Sequence, residues 1–410
     1  MKRIIIGVLL GTTSVAMTAQ ETITVSVSNQ SKQERTDQPV IIALKEYGDV
    51  RSALVTTDGK EIACQLDDLD QDEEYDELCF LANLKGKEQR QYSVTLYREG
   101  EPRPYPARVY AEMLIRNDKV KEKNRHDNFI ESITARGDCA NPYNLQHHHG
   151  VDFESELNGI RIYFDKRQTL DLYGKFKKRL ELQETQFYTS DEQKEQGYGD
   201  DVLWVGNTFG LGAFRGWDGK EPTMIDPVRN RTQRIISYGP LRTIVEIIDR
   251  GWQLPTAPVN MTIRYTQYAG HRDTDVDVFF NKDVSSQLFS TGIINVKGSE
   301  EYSDHQGLRA CWGTDYPSTD TVKWKRETVG LGIWIPKKYI ASEEPANKDN
   351  YAFVVKTDNR HLSYKVTYTS ANEEFGYHTA QAWFDYLRTW RKEVDQPVTT
   401  RQRRTSASLR

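Results

Sequence analysis

Between His147 and Lys175 the chain reads HHHGVDFESELNGIRIYFDKRQTLDLYGK, which gathers three of its eight histidines with Glu154, Arg161, Tyr163, Asp165, Asp171, Tyr173 and Lys175. Acids, bases and cations therefore stand within the span of a few strands. On an extended segment alternate residues share a face, so His147 and His149 point one way and His148 the other. Three adjacent histidines cannot all ligate one ion without a sharp turn at Gly150, and HHHG is no zinc spacing. One or two of them with Glu154 could still hold a divalent metal, the one cofactor the sequence brings into view. Acid–base work by His148 or His149 fits the residue type better, because an unperturbed imidazole titrates near neutrality. The competing reading is loop histidines with no chemical role.

Asp171, Tyr173 and Lys175 share a face if the strand continues. Such a face suits β-elimination from a uronic acid. There a cation neutralises the sugar carboxylate, a base removes the C5 proton, and a proton reaches the leaving oxygen. Arg161, Lys175 or Arg215 could neutralise; His148, His149, Tyr163 or Tyr173 could move protons. The catalytic candidates are thus His148, His149, Glu154, Tyr173 and Lys175. Glycoside hydrolysis would instead need two carboxylates roughly 5 to 10 Å apart, and Glu154, Glu156, Asp165, Asp171, Asp200 and Asp201 supply candidates. Against both stands the reading of these charges as the solvated face of an antiparallel strand.

Residues 197–219, GYGDDVLWVGNTFGLGAFRGWDG, add glycines and aromatics. They lack GxGxxG and open no helix, so they are no dinucleotide fingerprint. Gly206, Gly210 and Gly212 read as turn residues that bring Trp204, Phe209, Arg215 and Trp217 to a surface. Aromatic faces stack on the C–H faces of sugars while polar neighbours take the hydroxyls. The substrate-binding candidates are Arg161, Tyr198, Trp204, Asn207, Arg215 and Trp217, although at least one tryptophan fits a core role.

The elements that must position these groups are mainly β. The 410 residues include 22 Tyr, 14 Phe and 8 Trp, with Val, Ile and Thr runs and closely spaced turn residues. Alternation at 22–30, 39–44 and 91–97 predicts a small β-sandwich over residues 20–110. Three prolines in GEPRPYPARVY mark a linker. From 111 to 397, strands at 159–164, 169–173, 243–249, 261–268, 274–280, 289–296, 330–335, 351–356 and 362–369, without βαβ rhythm, predict a large antiparallel supersandwich-like domain. Ala269-Gly270 should turn a hairpin. One helix is expected at 379–393, with Trp383, Tyr386, Leu387 and Trp390 as its apolar stripe. Residues 398–410, rich in Arg, Ser and Thr, read as a disordered tail. Asp273, Asp275 and Asp277 would share one strand face with Arg264, Arg272 or a cation among them. The acidic run from Asp67 to Glu77 lacks EF-hand spacing and reads as a solvated hairpin loop.

Met1-Lys2-Arg3, the apolar run IIIGVLL and small residues near Ala16 and Ala19 predict a secretory signal over residues 1–19. No cysteine near the cleavage site suggests a lipid anchor, and no segment reaches the ~20 apolar residues of a membrane span. A periplasmic or secreted protein is expected. The formal charge of -5 argues against a nucleic-acid partner, while cations within a groove would still attract an acidic glycan. Cys64, Cys79, Cys139 and Cys311 form no CxxC pair. Cys64 and Cys79 flank the acidic loop and could form a disulfide or remain buried thiols. No GxSxG elbow is present.

The strings HHHGVDFESELNGIRIYFDKRQTLDLYGK and GYGDDVLWVGNTFGLGAFRGWDG resemble an uncharacterised family of secreted Bacteroidetes proteins with a domain of unknown function. The resemblance covers nearly the whole mature chain. It implies a setting among genes for polysaccharide use, often of pectin-like or other uronic-acid glycans, and transfers no catalytic residue. A looser likeness, of architecture alone, is to the β-supersandwich of galactose mutarotases and several polysaccharide lyases. The combined expectation is a lyase acting on uronic-acid glycans, with glycoside hydrolysis or glycan binding without catalysis as the alternatives.

Overall fold

The computed structural model describes residues 20–116, 128–139 and 142–404. The expected signal segment lies outside them. The protein is mainly β, built from antiparallel sheets, with one long helix near its C-terminal end.

The N-terminal part is a sandwich. One sheet orders the strands Thr399–Arg404, Gln20–Ser28, Gln89–Tyr97, Ser52–Thr57 and Lys60–Ile62, and the other Arg35–Ala43, Glu77–Leu84 and Cys64–Asp67. Alternate residues Ile23, Val25, Val27, Val40, Ile42, Phe80, Val94 and Leu96 fill the space between them, as strand periodicity requires. The expectation of a disordered tail is corrected over residues 399–404, while 405–410 lie outside the described residues. Residues 399–404 pair with Gln20–Ser28 in a continuous antiparallel register, because that strand has an open hydrogen-bonding edge which the tail can complete. Cys64 and Cys79 are free thiols on neighbouring strands, Cys79 lying opposite Gln65.

The larger part stacks a nine-stranded sheet against two five-stranded sheets, and residues of all three share one apolar core. Val259–Tyr268 and Asp273–Phe280 pair across the Ala269-Gly270 turn. The first small sheet orders Asp200–Asp201, Leu170–Gly174, Gly159–Tyr163, Gly150–Ser155 and Val109–Glu112; the second orders Pro222–Thr223, Arg215–Trp217, Phe289–Ile294, Asn350–Val355 and Ile340–Glu343. Gly210 and Leu211 splice the two, bridging to Leu170 on one side and Ile293 on the other. A Cβ on Gly210 would meet the Leu170 carbonyl at 2.3 Å, and its φ is +54°, so the splice demands glycine.

The helix Ala380–Asp395 begins at Thr379, whose side chain accepts a hydrogen bond from the Ala382 amide, a standard N-cap. Ala380, Trp383, Phe384, Leu387 and Trp390 are its buried side chains, and they pack with Leu308 and Ala310 of the nine-stranded sheet. Asp273 and Asp275 share Lys365, and Asp277 meets His361. Arg264 stands opposite Asp277 in register but pairs with Glu246, and Arg272 pairs with Glu373. The nearest cation on the neighbouring strand comes from register, Asp275 standing opposite Lys365. No helix among the described residues is long and apolar enough to cross a membrane.

Candidate functional site

The first small sheet is covered on both faces. All six residues of Gly150–Ser155 and all five of Leu170–Gly174 are buried. The side chains expected to face a pocket face protein instead. Lys175 donates to Glu154 Oε2 at 2.5 Å and to the carbonyls of Ser155 and Arg179 at 2.7 and 2.6 Å, and both members of the pair are 0% exposed. Glu154 also accepts the amides of Glu181 and Leu182, which start the short helix Leu182–Thr185. Every donor of this ammonium is engaged within the protein. Tyr173 is buried too, its hydroxyl donating to the Gly199 carbonyl at 2.8 Å, and burial with Glu181 nearby pushes its pKa far up. Glu154, Tyr173 and Lys175 hold the fold together, which corrects their expected catalytic placement.

Arg161 lies opposite Asp171 on adjacent strands. Its guanidinium meets the Asp171 carboxylate, the Tyr188 hydroxyl at 3.0 Å and the Tyr163 hydroxyl at 3.1 Å, and it sits 4.1 Å from the Phe187 ring centroid. At 2% exposure it is a structural cation. His148 is fully buried beside Glu112 and Asp152. His149, at φ +74°, packs its ring 5.0 Å from that of Tyr143. Burial and the Arg161 charge push its pKa down to about 4, so the imidazole is neutral at pH 7.

The glycine-rich segment divides. Trp204 is 51% exposed. Phe209 and Arg215 are buried, correcting their surface placement; Arg215 donates to Thr169 Oγ1 at 2.9 Å and to the carbonyl of Thr208. Burial lowers its pKa to about 10. Trp217 is half-buried on the second small sheet, opposite Pro222. Tyr198 stands apart as well, with the Arg179 guanidinium 4.0 Å from its ring centroid.

Trp204 and Asn207 do reach a common hollow. It measures about 530 Å³ and lies where the two small sheets meet the nine-stranded one. Residues 202–208 form one wall, Lys297 and Lys348 come from loops of the second small sheet, and Asp315, Tyr316 and Glu327 from the large sheet. Asn207 also lines a second hollow of about 420 Å³ with Tyr143, Asp165 and Arg167. The first hollow thus offers an exposed indole, two ammonium groups and several carboxylates.

Two of those carboxylates were missed by the sequence reading. Asp315 ends one strand and Glu327 begins the next, and they are direct register partners. Residues directly opposite on antiparallel strands bring their Cβ atoms to about 4.5–5.5 Å. Glu327 accepts a 2.6 Å hydrogen bond from the Asn372 side-chain amide. Burial raises its pKa, outweighing Asn372, and the nearby Asp200 charge adds to the shift. Asp315 accepts the Tyr316 amide at 2.9 Å. No sequence motif announces this pair, since 11 residues of loop separate its members and only register sets them opposite.

No curated protein matches the chain. Among solved structures it is similar to an alpha-mannosidase from Enterococcus faecalis V583 and to a glycosyl hydrolase family 38 protein from Enterococcus faecalis, each at 10% identity and a TM-score of 0.47. Those likenesses cover 94% of this chain but 46% and 47% of the other chains, so this chain spans about half their length. The model of the domain of unknown function DUF4861 matches residues 27–400, and the chain belongs to that family.

Proposed function

We propose that the protein is a carbohydrate-active enzyme that hydrolyses a glycan seated on Trp204, with Asp315 and Glu327 as its working carboxylates. The cross-strand pairing of these two acids in one hollow carries the reading. Glycoside hydrolysis uses two carboxyl groups about 5–5.5 Å apart when a covalent intermediate forms, or ~6.5–9.5 Å apart when water attacks directly. Side chains from opposed strand positions can span either separation. Glu327, with its raised pKa, is suited to be the general acid that protonates the leaving oxygen. Asp315 is then the nucleophile or the base that activates water. Trp204 supplies the stacking platform for a sugar ring. Lys297 and Lys348 would draw the carboxylates of an acidic glycan to the mouth of the hollow.

The expected lyase chemistry has less support. Among its candidate bases and neutralising cations, Tyr173 and Lys175 are buried with internal partners. Incubation with a panel of neutral and acidic glycans separates the chemistries. Hydrolysis generates new reducing ends without ultraviolet absorbance, elimination generates an absorbing unsaturated product, and a pure binder retards in affinity electrophoresis without shortening the chain. Asp315→Asn and Glu327→Gln should each lower turnover by about 10²-fold or more while leaving the fold intact. Unsaturated products, or cleavage that survives both substitutions, would sink the assignment.

A further inference from the structure

Asp152 and Glu112 are direct register partners on adjacent strands of the first small sheet, and both are 0% exposed. Two carboxylates set face to face without water repel unless something positive or a proton lies between them. What lies there is His148, also 0% exposed. Its Nε2 is 3.3 Å from Asp152 Oδ2 and 3.4 Å from Glu112 Oε1. Yet His148 Nε2 and Asp152 Oδ2, the atoms that face each other, make no hydrogen bond to any described residue. Buried polar atoms are nearly always satisfied, so His148 Nε2 and Asp152 Oδ2, meeting beside Glu112 Oε1 without a hydrogen bond between them, need an explanation.

We infer that Glu112, His148 and Asp152 form a buried binding site for a divalent transition-metal ion, with zinc the best match. One ligand atom from each of the three lies within 4.8 Å of the others. Ligands about 2.1 Å from zinc at tetrahedral angles stand ~3.4 Å apart, which agrees with the two nitrogen–oxygen separations above. The charges also close: two carboxylates and a neutral imidazole around a dication leave no net charge in a dry interior. A metal binds an imidazole in its neutral form. Tyr110 donates to Glu112 Oε2 at 2.8 Å and so orients the carboxylate whose other oxygen faces the site, the usual outer support of a metal ligand. The imidazole–carboxylate donor set suits zinc or manganese better than calcium, which favours oxygen ligands alone. The ion would tie the strand Val109–Glu112 and the histidine turn to the strand Gly150–Ser155. None of the three residues reaches the hollow at Trp204, so this role is independent of glycan turnover.

Because the site is closed, the metal must enter as the chain folds. The test uses the full chain without a histidine tag, unfolded in chelator and refolded with or without zinc chloride. One equivalent of zinc retained after desalting, with a higher unfolding midpoint than the metal-free sample, supports the site. Refolding with cobalt should give visible absorption of tetrahedral intensity. Asp152→Asn and Glu112→Gln should each lose the bound metal and the zinc-dependent rise. The rival arrangement is a trio that only shares protons. Wild-type protein that refolds without taking up metal, or folded Asp152→Asn that keeps a full equivalent, overturns the inference. Should the variants fail to fold, the wild-type zinc content and its midpoint shift decide alone.

Discussion

Replacing Lys175 by methionine removes a cation that water never touches. Its ammonium makes three short contacts, to Glu154 Oε2, Ser155 O and Arg179 O, at 2.5, 2.7 and 2.6 Å. Removing one partner of a buried ion pair costs about 3–5 kcal/mol, mostly through the charge left behind. After Lys175→Met the Glu154 carboxylate keeps the amides of Glu181 and Leu182, so the loss should fall near the lower end, about 3 kcal/mol. Glu154→Gln strands an ammonium with two carbonyls and no counter-charge, so it should fall near the upper end, about 5 kcal/mol. The double variant leaves no charge and should cost at least about 2 kcal/mol less than the sum of the singles. Urea unfolding of all four proteins, with a common dependence on denaturant, gives these differences directly. Turnover per folded molecule should not change. Singles that cost under about 1 kcal/mol, or stable singles that abolish turnover, would refute the structural role and return this pair to catalysis.

Trp204→Ala should weaken glycan binding about tenfold, near 1.4 kcal/mol, and leave the unfolding midpoint unmoved; isothermal titration and urea curves check both halves. If Glu327 is the general acid, turnover should fall as pH rises through its elevated pKa, and Glu327→Asp should move that limb of the pH profile, whereas an unmoved limb excludes the role. His271 contacts the Asp37 carbonyl at 2.7 Å and Asp273 at 3.2 Å. Burial opposes its protonation, but the hydrogen bond and charge of Asp273 outweigh this and raise its pKa above 6.5. The folded state therefore holds this proton more tightly. The resulting stability is complete below the unfolded value near 6.5 and is lost as pH rises through the folded value. His271→Gln should flatten that decline in urea midpoints as pH rises above the unfolded value near 6.5. Ending the chain after Val398 removes six register pairs from the edge of Gln20–Ser28. At about 0.5 kcal/mol per ladder bond the loss is roughly 3 kcal/mol, accompanied by self-association through the bared edge. A truncated chain that stays monomeric and equally stable would count against the strand.

The strands were legible where one face is core and the other solvent. Residues 22–30 alternate cleanly, and that segment forms Gln20–Ser28 with Ile23, Val25 and Val27 buried. The C-terminal helix was legible for the same reason at its own period, with Trp383, Leu387 and Trp390 inside. Alternation misled at Glu154, Tyr173 and Lys175. It predicted a shared face correctly enough, but this sheet is covered on both sides, so an inward face meant the interior and not a pocket. Charge on a strand was read as function when its partner stood close by within the same covered sheet, as Glu154 does for Lys175 and Asp171 for Arg161.

What the sequence by itself determined is the β class, the helix, and the concentration of polar groups between His147 and Lys175. These follow from local periodicity and residue type, which need no knowledge of distant contacts. Only the tertiary structure decided which groups meet. Register set Asp315 opposite Glu327 and Asp152 opposite Glu112, and the splice at Gly210 and Leu211 set Trp204 over a hollow among three sheets. Pairing across 11 loop residues, or across the 39 between Glu112 and Asp152, is a matter of which strand edges join. That choice is made by the packing of the whole core, and no short stretch of sequence contains it.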